Sequence, residues 1–532
     1  MPLAPRPLPV SPDLNQLRRQ AKDLLRDARA ADPTALTRFR TLPSLAGISD
    51  NELARAALAL HDAQSVIARE HGFQSWNALR ERVEELALRF DDAVREFVEA
   101  ATDGRTSRAE RLLALWPGIA GASFHTSLLL GDARAVESHL ARRPALATEA
   151  GGARGWEPLH YICYDSLGQS SVADADGVVA IARRLIELGA SANARFPWLH
   201  HGVRRPVLWG ATRVTRLLPL TELLLQSGAD PNDGVTLPMA ASAGDVPTLE
   251  LLRAHGANPN QPWATDGSAT LYAILHWSKN LDGAQWLLEH GADPDPVFAA
   301  NGETPLHVVA QRCDIILAEA LVQRGADISR RRADGRTPYG VAELNGNGAV
   351  ADWLRSHGAS DDLLLVDRLV GACGRGDRAA AETMLAAHPM LRDEITDAHY
   401  ATLHRAAEQG DVVVLELLLD CGFDPNRGDE EIGKTALHSA AMEGRPVAVR
   451  LLLARGASPD VRDREFNGQP LVWAAEGSRS HLDRARDYAV VGRLLLDAGS
   501  PMGWHPSTSE PSEGIVEIIA EWQRDRTSRR ES

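Results

Sequence analysis

A phrase that returns at a fixed spacing constrains this chain more than any other feature. L-L-x-x-G-A-x-x-N/D recurs as LIELGASAN at Gly189, LLQSGADPN at Gly228, LLRAHGANPN at Gly256, LLEHGADPD at Gly291, LVQRGADIS at Gly325, LLDCGFDPN at Gly422 and LLARGASPD at Gly456. A second phrase lies upstream: EPLH ending at His160, TPLH at His307, ATLH at His404 and TALH at His438. From His307, His404 and His438 to the next helix-ending glycine is 18 residues each time. A third mark is a glycine six residues after the anchor, at Gly244, Gly346, Gly376, Gly410 and Gly444, and degenerate anchors keep the register at Pro238, Tyr272, Gly340 and Val472. A unit of roughly 33 residues is too short to bury a core alone, so neighbouring units must stack.

Each phrase has a physical reading. Thr304 or Thr435 is placed to cap a helix through its hydroxyl, Pro305 suits the first turn, and Leu306 or Leu437 begins the buried face. The glycine six residues on ends that short helix in a left-handed conformation, and the Asp that often follows caps a second helix. Aromatic residues make up only 5% of the chain, so the core rests on Leu, Ala, Val and Ile, which suits small, tightly stacked helices. TPLH, A-A-x-x-G-D and L-L-x-x-G-A-D-x-N together resemble the ankyrin repeat over about four fifths of the chain. The resemblance implies an all-α dominated solenoid of helix pairs with β-hairpin fingers. It also implies a non-catalytic protein–protein interaction scaffold or adaptor that binds its partner on the concave, finger-bearing surface.

The domain reading follows from where the period holds. Residues 1–11 are expected to be disordered, and 12–89 to form a helical leader that caps the array. This leader, with Gly72 as a turn, Ser75 as a cap and Trp76 opening its last helix, resembles that of bacterial ankyrin-repeat proteins. Residues 90–505 read as about twelve repeats, the first two worn down around Val98 and His125, and 506–532 as a capping helix (EGIVEIIAEWQ) with a disordered tail. Insertions fall near 165–176, 195–205 and 477–487, where they are expected to loop out on one face.

A net charge of -15 disfavours nucleic acid, for which only the Arg-containing fingers 195–205 and 330–336 speak. Three lysines among 57 basic residues suggest a GC-rich, bacterial genome. Four scattered cysteines without a C-x-x-C pair read as buried, reduced thiols. No apolar leader segment and no uncharged run of 18 residues occurs, so the expectation is a cytoplasmic monomer without membrane contact.

Gly428–Thr435 matches G-x-x-x-x-G-K-T, yet it holds three acids and overlies the finger before TALH, so nucleotide binding is not expected. His125, His160, His307, His404 and His438 occupy the repeat's own turn position, and His255, His290 and His357 precede helix-ending glycines. Only His200 and His201, beside Trp198, Arg204 and Arg205, are left without such an explanation, and an adjacent pair is too weak a signal for a metal site. G-x-S-x-G and H-E-x-x-H are absent, so neither an enzyme nor a cofactor is expected. The candidate partner surface is a stripe of finger aromatics, Trp156, Trp198, Trp263 and Phe298, flanked by His200, His201, Arg204 and Arg205. The same rings could instead fold back over the repeat edge. The alternative function is an enzyme or small-molecule binder with its site in the irregular repeats 155–280.

Overall fold

Three local devices turn the repeated phrases into helix boundaries. The first is Thr-x-x-His. At Thr304 and Thr435 the backbone N–H donates to the Nδ1 of His307 and His438 at 3.3 and 3.0 Å, and the hydroxyl points at the same nitrogen at 2.8 Å. Each ring then donates from Nε2 to the next finger, to Arg336 O at 3.2 Å and Gly468 O at 3.1 Å. The threonine hydroxyl thus meets the imidazole, and Thr435 with His438 forms a capping box at the start of its helix. Where glycine replaces the histidine, Thr337 does cap in the ordinary way, its Oγ1 accepting from Gly340 N–H at 3.3 Å. The second device is the left-handed glycine followed by Asp: Gly410 has φ 75°, and Asp411 accepts from Val414 N–H at 3.1 Å. The third is the asparagine that closes the L-L-x-x-G-A-x-x-N phrase, which bonds outside its own unit.

The structure, a computed structural model, describes residues 6–9, 12–42, 45, 47, 53, 58–197, 204–264, 266–278, 280–312, 315–361, 363–429, 432–480 and 487–501. The expected C-terminal capping helix and tail lie outside these residues. The chain divides into two units, Met1–Ala292 and Asp293–Ser532.

In the first unit, helices Leu14–Arg29, Pro33–Phe39, Leu60–Glu70 and Trp76–Ala87 pack around an apolar core that includes Leu24, Phe39, Ile67 and Leu79. Arg6 N–H donates to Glu70 O at 2.7 Å, which lays residues 6–9 against these helices. Ser75 Oγ accepts from Ala78 N–H at 3.2 Å and so starts the fourth helix. Six helix pairs follow: Phe90–Thr102 with Thr106–Leu115, Phe124–Leu129 with Ala133–Arg142, Pro158–Cys163 with Ala175–Glu187, Val207–Gly210 with Leu218–Gln226, Thr236–Ala243 with Val246–Ala254, and Thr270–Trp277 with Leu281–Glu289. Buried Glu85 on the fourth N-terminal helix is held by Arg111 of the first pair at 2.8 Å.

The asparagine seam runs through this unit. Asn193, Asn232 and Asn260 donate from Nδ2 to Gly228 O, Gly256 O and Gly291 O at 2.7, 3.0 and 2.9 Å. Asn193 and Asn232 also accept from the N–H of Asp230 and Asn258. The insertion at 165–176 is tied down rather than looped out. Ser166 bonds Ala101 O through both its N–H and its hydroxyl, and Ser170 Oγ donates to Glu110 at 2.5 Å. The insertion at 195–205 forms an antiparallel pair, Arg195–Pro197 with Arg204–Pro206, in the register Arg195↔Pro206.

The second unit holds six more pairs: Pro305–Arg312 with Ile315–Gln323, Pro338–Leu344 with Gly348–Ser356, Leu365–Gly374 with Arg378–Ala387, Asp397–Gln409 with Val412–Asp420, Ala436–Met442 with Pro446–Ala454, and Pro470–Ser480 with Tyr488–Asp497. One pair departs from the expected frame. Its first helix begins at Asp397, seven residues before His404, because Thr396 and His399 take the Thr-x-x-His role, with Thr396 N–H donating to Nδ1 at 2.8 Å. His404 consequently sits inside a helix, where neither ring nitrogen has a hydrogen-bond partner among the described residues. The displaced His399 bonds buried Asp367 at 2.9 Å, and Arg336 binds the same carboxylate at 2.7 and 3.1 Å.

Two outcomes follow. Asn426 spans to Gly456 O at 2.9 Å and receives Ser458 N–H at 2.7 Å. Asn426→Ala should lower stability by about 1–2 kcal/mol, measured by urea denaturation. Burial also pushes His160, His307 and His404 down to about 4 from an ordinary 6.5. The unfolded chain binds more protons between those values, so stability should fall as pH drops through that window. Each such histidine contributes about 1.4 kcal/mol per pH unit. Unfolding midpoints at pH 7.5 and 5.0 should differ accordingly, and His404→Leu should narrow the gap.

Candidate functional site

The first finger of interest is a tight turn closed by Gly151 N–H donating to Trp156 O at 3.0 Å. Tyr161, on the helix that follows, donates its hydroxyl to Gly151 O and accepts from Arg154 N–H, both at 2.8 Å. Trp156 is half-buried, its ring 5.5 Å from that of Tyr161 and 6.0 Å from that of Tyr164, with the Arg154 guanidinium 5.8 Å above it. Trp156 thus folds back on its own repeat and presents an edge.

The contacts continue into the enlarged finger. Tyr164 donates its hydroxyl to Pro206 O at 3.0 Å and packs 5.6 Å from the ring of Trp209, over which Arg205 lies at 3.9 Å. Burial lowers the pKa of Arg205, whose guanidinium lies over the Trp209 ring. Arg204, beside it, is exposed. Trp198, His200 and His201 lie outside the described residues.

Trp263 and Phe298 occupy matching finger positions in their respective units. Each donates its N–H to a carbonyl five residues on (Ser268 and Glu303, both at 2.8 Å) and accepts from a glycine N–H four residues on (Gly267 at 2.8 Å, Gly302 at 2.9 Å). Both rings are half-buried. Among the described residues of the first unit, the most exposed large aromatic side chain was not in the expected stripe. Trp277 ends the helix Thr270–Trp277, 64% exposed, with its ring edge-on to His276 at 4.6 Å. The signal was available, since Trp277 stands five residues after its anchor where other repeats place Arg312, Gln409 and Glu443.

A family model described as ankyrin repeats (3 copies) matches residues 369–486, and one described as ankyrin repeats (many copies) matches residues 270–322. The chain has an ankyrin-repeat fold. No curated protein matches it. Ankyrin repeats are generally protein–protein interaction modules.

Within this ankyrin framework the other candidate chemistries find structural explanations. In Gly428–Thr435, Asp429 Oδ1 accepts from the N–H groups of Ile432 and Gly433 at 2.9 and 2.8 Å, and Lys434 pairs with Glu408 at 3.3 Å. The amides a phosphate would need are committed to the finger's own carboxylate. The finger arginines Arg330, Arg332 and Arg336 are ion-paired with Asp295, with Glu303 and Asp334, and with Asp334 and Asp367 respectively, leaving little positive field for a nucleic acid. His290 and His357 donate from Nδ1 to Trp286 O and Trp353 O at 2.6 and 2.8 Å, closing helix C-termini, while each ring stacks on that tryptophan. Among the described residues no group of three or more His, Cys, Asp or Glu is arranged to hold a metal ion.

The irregular repeat between 158 and 217 buries Cys163 and Asp165 alongside His160, Tyr161 and Tyr164, and burial pushes both Cys163 and Asp165 up. Held neutral, they are a weak nucleophile and a weak base. Asp165 accepts from Leu167 N–H at 2.9 Å through one oxygen, while the other has no hydrogen-bond partner among the described residues. Because its folded pKa is raised, the carboxyl costs stability as pH rises above its unfolded value of about 3.9. Asp165→Asn should therefore stabilise the chain at pH 7.5 by roughly 1–3 kcal/mol. The advantage should vanish near pH 4 in the same urea titration.

Proposed function

We propose that the chain is a non-catalytic scaffold or adaptor whose first unit engages a protein partner across its fingers and first helices. The observation that carries this reading is Trp277, a large ring left 64% exposed at the end of a first helix. Trp263 stands on the finger of the same repeat. Rigid aromatic anchors of this kind give up little conformational freedom on binding and dominate protein interfaces. Trp156 and Arg204 extend the surface, and Phe298 is its counterpart in the second unit. Trp198, His200, His201 and Arg205 keep their place in the proposed surface as supporting members. The described N-terminal helices act as a cap, a role supported by the buried Glu85–Arg111 pair.

The protein works as a cytoplasmic, bacterial monomer, without cofactor, metal or nucleic acid. Composition and the paired finger arginines support this reading. Among the described residues no helix is long and apolar enough to cross a membrane.

Affinity capture from native host lysate, read by mass spectrometry, tests the proposal. The intact chain should enrich a protein partner, and Trp277→Ala with Trp263→Ala should cut its recovery at least tenfold while circular dichroism stays unchanged. A roughly tenfold loss corresponds to about 1.4 kcal/mol, well within what one anchor supplies. Equal recovery by both chains would refute the surface.

A further inference from the structure

Two thiols meet in the core of the second unit. Cys373 lies on the helix Leu365–Gly374, and Cys421 follows the last turn of Val412–Asp420. They are 0% and 1% exposed and belong to one apolar cluster. Forty-eight residues separate them in sequence, yet their sulfurs stand 3.3 Å apart. A disulfide bond is about 2.05 Å long, so the sulfurs need to close by roughly 1.3 Å.

We propose that Cys373 and Cys421 form a redox-responsive pair that hydrogen peroxide converts into a disulfide, stapling the repeat of 365–387 to the repeat of 397–420. The oxidant is assigned by size, because two sulfurs this deeply buried exclude bulky disulfides. The surroundings favour the chemistry at Cys421. The two sulfurs share one hydrogen bond, and Arg392 and Arg378 add positive charge beside Cys421; with that bond they lower the Cys421 pKa against the effects of burial and Asp420. At Cys373 the shared bond and burial act the other way and raise the pKa. One sulfur is thereby prepared to attack and the other to resolve, the division of labour that redox-sensing thiol pairs use.

The reaction balances. The Cys421 thiolate attacks one peroxide oxygen, the O–O bond breaks, hydroxide leaves, and Cys421 becomes a sulfenic acid. Cys373 then attacks the Cys421 sulfur as its own proton departs, the S–O bond breaks, and a second hydroxide leaves. The two thiol protons neutralise the two hydroxides. Two electrons pass from the sulfurs to one peroxide, giving one disulfide and two waters. Cys163 is an internal control, a buried free thiol whose pKa is raised by burial.

The test uses the full chain, reduced and then exposed to graded hydrogen peroxide under native conditions. Remaining thiols are alkylated after denaturation and peptides are mapped by mass spectrometry. The expected result is a linked Cys373–Cys421 peptide at doses that leave Cys163 alkylatable, reversal by dithiothreitol, and a melting temperature raised by roughly 5 °C in the oxidised chain. Cys373→Ala and Cys421→Ala chains should show no such rise. The linkage map needs only the natural chain, so a variant that folds poorly does not blunt the test. Absence of the linked peptide, oxidation of Cys163 at the same dose, or a melting temperature unchanged or lowered by linkage would each overturn the proposal.

Discussion

Repeat after repeat, among the described residues, leaves a backbone carbonyl to be satisfied by its neighbour. Asn193, Asn232 and Asn260 each reach forward to the carbonyl of the next helix-ending glycine, and Asn426 does the same in the second unit. His307 and His438 reach forward to the next finger. A helix that stops in a left-handed glycine exposes carbonyls that must find partners, and a neighbour presenting one carboxamide at a fixed offset supplies them repeatedly. Stacking of Leu and Ala provides the apolar energy, while these side chains fix the register in which the stacking occurs.

This division explains what was legible in the sequence. Thr-x-x-His, the left-handed glycine, the capping Asp and the Leu pairs are local devices, visible as short strings, and the structure uses them at Thr435–His438, Gly410 and Asp411. The pair beginning at Asp397 defeated the frame because its string occurs twice. ATLH at 401–404 has the better spelling, but Thr396 and His399 have Asp367 and Arg336 waiting for the ring. The decision between two histidines was made by a carboxylate 32 residues upstream, which no local pattern encodes.

The candidate surface was legible to a similar depth. Matching positions on the fingers could be counted, and Trp263 and Phe298 share their backbone partners. Ring orientation could not be counted. Trp156 is drawn inward by Tyr161 and Tyr164, and Arg205 is drawn onto Trp209, through contacts between residues that become neighbours only after folding. Trp277 shows the converse. Its exposure follows from sitting where sister repeats carry polar side chains, and comparing equivalent columns across repeats is more informative there than hydrophobicity alone.

Consider again the asparagine seam of the first unit. Asn193, Asn232 and Asn260 address the same kind of backbone carbonyl, and Asn193 and Asn232 the same kind of amide, so nothing in these joints records which unit comes next. A joint without an address allows whole units to be duplicated or lost by recombination, provided the cut falls at equivalent positions. The ends carry the individuality instead, as Glu85 and Arg111 do where the N-terminal helices meet the first helix pair. The length of such a protein is then a historical variable, open to revision one unit at a time, while its cross-section stays fixed by chemistry.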